Sequence, residues 1–216
     1  MIFKLRLLVV ILVLLPGFSR ANDSAEDIMQ KIASASGLGE WPSVESIEYT
    51  FHVELPSRTV ERSWKWWPTT DQVQYEDGGE TITYTRGPDA DPAVDGKFIN
   101  DLYWLAFPFA VVWDDSVTLK TIDPENFTAG IEAVGGIKVI YPDGVGYTPG
   151  DVYEVYYDPN DRITHWVYRK GGSEEPSLVA TWSDYEKVGP LTLSTEHKAY
   201  PDGPFHLWFT DLVVKQ

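Results

Sequence analysis

The chain has 216 residues, 33 acidic against 17 basic, no cysteine, and a formal net charge of −16. Without clustered Lys and Arg it lacks the means to neutralise phosphates, which argues against nucleic acid as a partner and against adsorption on anionic membranes. The lack of Cys excludes disulfides, a lipid-anchoring thiol and a thiol nucleophile, and the acidity itself is read as solubility rather than as a docking face.

Residues 1–21 read as an export signal. Lys4 and Arg6 precede an unbroken apolar run from Leu7 to Leu15, and Ser19-Arg20-Ala21 offers a cleavage site after Ala21. That run is too short to span a bilayer, which takes about 20 residues, so the protein is expected not to be membrane-spanning and to be periplasmic or secreted. Residues 22–216 have the size of one domain. Ser24 to Ser36 predicts a helix, with a Ser24/Asp27 capping pair and Gly37 as its terminating glycine. Ile47 to Leu55 alternates strictly, placing Ile47, Tyr49, Phe51, Val53 and Leu55 on one face and Glu48 to Glu54 on the other. Thr59 to Trp67 follows, with Val60, Trp64 and Trp66 on one face and Trp67 on the other, until Pro68 stops it. Short strands at Gln72 to Glu76 and Thr81 to Thr85 flank an Asp77-Gly78-Gly79 turn.

The period then changes. Phe98, Leu102 and Leu105 are spaced for a helix from Asp95 to Ala106, which Pro108 is expected to end. Strands resume at Val117 to Ile122 and Ile137 to Tyr141, and Val152 to Arg169 reads as a β-hairpin about Asp158-Pro159-Asn160-Asp161. If Tyr157 faces Arg162, Tyr153 stands against Trp166 and Glu154 against His165, with large apolar groups on both faces. Leu178 to Tyr185, Leu191 to Tyr200 and Phe205 to Val214 complete the series. The expected fold is mainly β (α+β): a curled antiparallel sheet of about eleven strands forming an open half-barrel, with helices covering its concave side.

The run SWKWWPTTDQVQYEDGGETITYT, Ser63 to Thr85, resembles the strand, Pro, strand, Gly-turn, strand signature of the LolA/LolB-like periplasmic lipoprotein carriers, with Trp64, Trp66, Pro68, Val73, Tyr75, Gly78 and Tyr84 at matching places. FINDLYWLAFPFAVVWD, Phe98 to Asp114, and TPGDVYEVYYDPND, Thr148 to Asp161, are similar to exported proteins sharing that half-barrel. The resemblance implies a concave sheet holding acyl chains or another hydrophobic ligand under a lid tied down by an Arg from an early strand, for which Arg58 and Arg62 are the candidates. Nine Trp, twelve Tyr and nine Phe are an aromatic supply suited to an apolar pocket, although a curled sheet also fills itself with aromatics. The expected ligand-binding residues are Tyr49, Phe51, Trp64, Trp66, Tyr75, Tyr84, Trp104 and Trp166. The expected partner is a lipid or other hydrophobic small molecule, with an envelope protein as a second partner class. The alternative is a carbohydrate-binding or purely structural envelope protein.

No catalytic, cofactor or metal site is expected. His52, His165, His197 and His206 lack ligand spacing, the Glu154–His165 pair is explained by a cross-strand hydrogen bond, and Asp89, Asp91 and Asp95 read as a solvated loop because Ala93 and Val94 occupy positions a calcium loop needs. No nucleophile motif is present.

Overall fold

The computed structural model describes residues 23–77, 79–123, 133–144 and 147–216. The expected signal segment therefore lies outside the described residues, as does Gly78 of the expected turn. Helix α1, Ala25–Ala35, begins with the anticipated capping box: the Ser24 hydroxyl accepts from the Asp27 N–H at 3.1 Å and the Asp27 carboxylate accepts from the Ser24 N–H at 3.2 Å. It ends at Gly37, whose φ of 104° a side chain would strain and where an added Cβ would come within 2.9 Å of the Pro190 carbonyl oxygen. A short 3-10 turn, Leu38–Ser43, leads into the strands.

Strands β1 (Ser46–Leu55), β2 (Arg58–Trp67), β3 (Gln72–Asp77) and β4 (Glu80–Thr85) are followed by helix α2 (Pro92–Trp113), and then by β5 (Thr118–Ile122), β6 (Gly135–Ile140), β7 (Val152–Tyr157), β8 (Ile163–Arg169), β9 (Leu178–Thr181), β10 (Ser183–Val188), β11 (Leu191–Lys198) and β12 (His206–Lys215). They form two open sheets, seven strands in the order β10-β11-β12-β1-β2-β3-β4 and five in the order β5 to β9, with antiparallel pairing throughout. The expected strand from Leu178 to Tyr185 is the hinge between them. It breaks at Trp182, so that β9 pairs with β8 and β10 with β11, and an Ala180–Ala199 bridge and the Tyr200 N–H to Val179 carbonyl bond carry the hydrogen bonding from one sheet to the other.

Two expectations need correction. Helix α2 does not stop before Pro108 but runs from Pro92 to Trp113, with the distortion confined to Ala106 at φ −117°, ψ 18°. Proline removes one N–H and crowds the preceding turn, yet Phe107, Pro108, Phe109 and Val111 are all buried, and that burial carries the helix across the kink. Its start lies earlier too, because the Asp91 carboxylate caps the Ala93 N–H at 2.8 Å and Pro92 fits the first turn. The hairpin register is also displaced. The loop is one residue wider than expected, so that Tyr157 faces Ile163, and a bulge at Tyr156/Tyr157 adds a second residue of shift, setting Tyr153 against Tyr168, Val155 against Trp166 and Glu154 against Val167.

Helix α1 packs on α2 and on β5 and β6, burying Ala25, Met29, Ile32 and Ala33. Removing its cap tests how far this element holds the N-terminal part of the fold. Ser24→Ala should lower the unfolding free energy by about 1 kcal/mol, read as a shift of the denaturant midpoint at unchanged slope.

Candidate functional site

The inner faces of both sheets meet α2. Alternation along β1 and β2 turns Tyr49, Phe51, Trp64 and Trp66 inward, and β3 adds Val73 and Tyr75, all of them buried. Trp64 stacks on Tyr75 with ring centroids 4.2 Å apart, and Phe98 of α2 meets Trp64 at 5.4 Å and Trp66 at 5.9 Å, both edge-on. On the outer face of β2, Trp67 is half-buried and lies beside the Lys65 ammonium. The Trp64 and Trp66 indoles are covered by α2, which removes them as an exposed platform for sugar rings.

Two carboxylates on α2 tie it to this wall. Asp101 is fully buried and accepts a bidentate pair from Arg62 of β2, at 2.6 Å from Nε and 2.5 Å from Nη2, together with the Trp64 indole N–H at 2.9 Å and the Asn100 amide at 3.0 Å. Burial pushes its carboxyl above the usual carboxylate range, and the Arg62, Asn100 and Trp64 donors pull it part of the way back. One turn and a half earlier, buried Asp95 accepts from Arg86 at 3.0 Å, from the Tyr84 hydroxyl at 3.1 Å and from the Tyr147 hydroxyl at 2.5 Å. Asp95 therefore is no part of a solvated loop. Of the two arginines named from the resemblance, Arg62 pairs with Asp101 of α2, and Arg58 is exposed.

Asp101, Asp95 and Arg86 were not anticipated as site residues, but a signal was present. Arg62 shares the inward parity of Val60, Trp64 and Trp66, and Asp95, Phe98, Asp101 and Leu105 fall on one helical face. A charge on an apolar stripe calls for a buried partner.

Towards the other end of α2 the contacts become almost wholly aromatic. Trp104 lies 4.3 Å from Trp166 of β8 and 5.3 Å from His197 of β11; His197 lies 4.6 Å from Trp182; and Phe107 lies 5.9 Å from Trp182 and 6.5 Å from Trp166. These five rings close a circuit. Of the anticipated residues, then, Tyr49, Phe51, Trp64, Trp66, Tyr75 and Tyr84 sit with the charged anchors, while Trp104 and Trp166 belong to this circuit. Trp41 of the 3-10 turn packs on Trp66, Phe109 and Trp113.

Trp166 Nε1, Trp182 Nε1 and His197 Nε2 in the circuit, and Tyr49 Oη, are buried without a hydrogen-bond partner among the described residues. Each such group costs about 1–3 kcal/mol. Burial holds His197 neutral, its pKa lowered to about 3. Because its Nδ1 faces the Thr181 carbonyl oxygen at 3.3 Å, that nitrogen carries the proton and Nε2 is left as a bare acceptor.

The pairing of Glu154 with His165 does not form. In the observed register the Glu154 carboxylate meets Arg169, at 3.1 and 3.3 Å, and Lys138 at 3.0 Å, whereas His165 meets the Thr164 hydroxyl and the Tyr200 ring. His52 stacks on Trp208, and His206 meets Glu196. A cleft of about 220 Å³ borders this wall, lined by Tyr49 and Trp64 together with polar residues that include Glu48, Ser63 and Lys65; another of about 750 Å³ lies between the β1–β2 hairpin and residues 199–206. Among the described residues no group of three or more His, Cys, Asp or Glu is placed to hold a metal, and no helix is long and apolar enough to cross a membrane.

No protein-family model and no curated protein matches the sequence. Solved structures do match the fold. A DUF1329 family protein from Desulfovibrio piger aligns over 88% of this chain and 91% of its own, with a TM-score of 0.51 at 11% identity. A domain from Vibrio parahaemolyticus, provisionally named as an outer membrane lipoprotein-sorting protein, aligns over 89% and 92%, with a TM-score of 0.51 at 14% identity.

Two outcomes are expected. Arg62→Met strands the Asp101 carboxylate in the interior and should cost about 3–5 kcal/mol in chemical denaturation, whereas Arg62→Met with Asp101→Leu should cost much less. The second concerns acid. His197 and His165 are held below their usual value of 6.5 by burial, to about 3 and about 4. The unfolded chain binds their protons first, so the stability they contribute is present above pH 6.5 and is lost as pH falls towards 4 and 3. The raised Asp101 carboxyl has the opposite sign. The melting temperature should fall between pH 7 and pH 4, and the fall should be shallower in His197→Phe.

Proposed function

We propose that the protein is an exported, periplasmic binding protein, not an enzyme, which holds an acyl chain or other lipidic ligand between the inner wall of the half-barrel and α2. The observation that carries this reading is the nature of the α2 contact: an aromatic wall covered by a helix that is tied to it through charged pairs at Asp95 and Asp101. Apolar surface tolerates exchange of one apolar partner for another, since burial is non-directional and worth about 0.8 kcal/mol per methylene. Ten methylenes can thus repay the several kcal/mol lost on immobilising a ligand. The Arg62–Asp101 pair acts as the fastening of a cover that a ligand displaces, in the way the lipoprotein-carrier resemblance implies, and the shared fold of the lipoprotein-sorting domain supports the same direction. Shuttling of lipoproteins, with an envelope protein as acceptor, is the most specific form of this role. The proposed binding residues are Tyr49, Phe51, Trp64, Trp66, Tyr75, Tyr84, Trp104 and Trp166.

Titration with a fluorescent fatty acid should quench the tryptophan emission by energy transfer. Trp64→Asp should abolish uptake because a charge in a dry wall costs more than a single contact returns, while Glu54→Gln on the exposed face should leave it unchanged. Native mass spectrometry of protein purified from its own envelope should show an acyl-chain adduct. Quenching by polysaccharides, with no response to fatty acids, phospholipids or acylated peptides, would overturn the reading in favour of sugar binding.

A further inference from the structure

The five-ring circuit has a feature that lipid burial alone does not require. An apolar chain is satisfied by any apolar lining, yet this end of the hollow carries two indole N–H donors and one imidazole acceptor that no protein group satisfies among the described residues. Trp166 and Trp182 are 4% exposed and His197 is fully buried. All three belong to the wall, on β8, at the β9–β10 break and on β11, whereas Trp104 and Phe107 come from α2. The polar atoms therefore stay in place if α2 is displaced. His197 cannot rotate its chemistry away, because its Nδ1 proton is committed to the Thr181 carbonyl oxygen.

We propose that Trp166, Trp182 and His197 form the head-group end of the ligand site and select an amphiphile whose polar end is an uncharged hydroxyl. This rests on the lipid-binding reading and makes it more specific. A hydroxyl is both donor and acceptor, so it is the uncharged group that can give its proton to His197 Nε2 and still accept an indole N–H, from Trp182, whose ring lies 4.6 Å from that of His197, or from Trp166. A carboxylate or phosphate could accept from the indoles but would set its negative charge against the bare Nε2 lone pair. No Lys or Arg ring contact or hydrogen bond reaches these three side chains among the described residues to compensate it. An ether or ester oxygen could accept from the indoles but would leave Nε2 unmatched. The three chemistries are thereby ranked by the wall itself.

The test compares 1-hexadecanol, 1-methoxyhexadecane and hexadecanoate, delivered from cyclodextrin at pH 8, in competition with the fluorescent acyl probe on the unmodified protein. The expected order is alcohol, ether, carboxylate, with at least about a tenfold gap between the first and the last, since a matched buried hydrogen bond contributes several-fold in affinity and an unmatched charge removes more. His197→Phe should erase the advantage of the alcohol over the ether. Trp166→Phe and Trp182→Phe should each weaken alcohol and ether alike. These exchanges keep a ring in place, and circular dichroism melts check the fold; the ligand series on the unmodified protein decides the matter even if a variant does not fold. Equal affinity for all three ligands would mean that ordered water satisfies the three groups; it would overturn the head-group site and leave lipid binding standing. Failure of every amphiphile to bind would overturn both.

Discussion

A carboxylate with no exposed surface governs how α2 occupies the hollow. Most of the contact between helix and wall is aromatic and could be made in several registers, because apolar burial rewards area and not direction. The Arg62 fork to Asp101 has one geometry, and it is reinforced by the Trp64 indole, which is also part of the wall. Sliding α2 along its groove would leave a charge buried without its partner, a larger penalty than loss of one apolar contact. Asp95 repeats the device nearer the start of the helix, with Arg86 and two tyrosine hydroxyls. Packing thus supplies the affinity of α2 for the wall, and the two acids supply its register.

The hollow consequently has two ends of different character. At one end, the inward carboxylates are matched within the protein by ion pairs and hydroxyls, and the Tyr49 hydroxyl is left without a partner among the described residues. At the other, around Trp104 and Trp166, the rings pack well but three polar atoms are unmatched. Uneven satisfaction of this kind is informative because buried polar groups are nearly always paired in folded proteins. The outer surface follows ordinary rules by comparison: Glu48 bridges Lys65 and Lys215 across neighbouring strands, and Glu196 meets Lys198 and His206.

Much of the framework was legible from local pattern. Strict alternation located β1 and β2 and sorted their inward and outward residues, and Ser24, Asp27 and Gly37 marked α1 at both ends. The errors came where local chemistry competed with packing. Pro108 is a helix breaker by its own covalent structure, and the helix continues because Phe107, Phe109 and Val111 are buried beyond it. The turn residues Asp158 to Asp161 predicted a hairpin correctly, but the loop closes one residue wider, with Tyr157 facing Ile163, and the bulge at Tyr156/Tyr157 adds a second residue of shift, which took His165 away from Glu154. The charged anchors were visible only as acids and arginines of the wrong polarity for their faces.

Composition and periodicity by themselves determined a mainly antiparallel fold with an aromatic inner face, an outer face rich in acids, and a helix between the fourth and fifth strands. Those features depend on residues two to four apart, whose relative directions the backbone dictates. Which residues meet across the hollow was decided only by the tertiary structure. Arg62 and Asp101 are 39 positions apart, and Trp182 reaches His197 because one strand breaks to serve both sheets. Such meetings depend on the summed twist, bulges and kinks of every element between the partners, and no local pattern carries that sum.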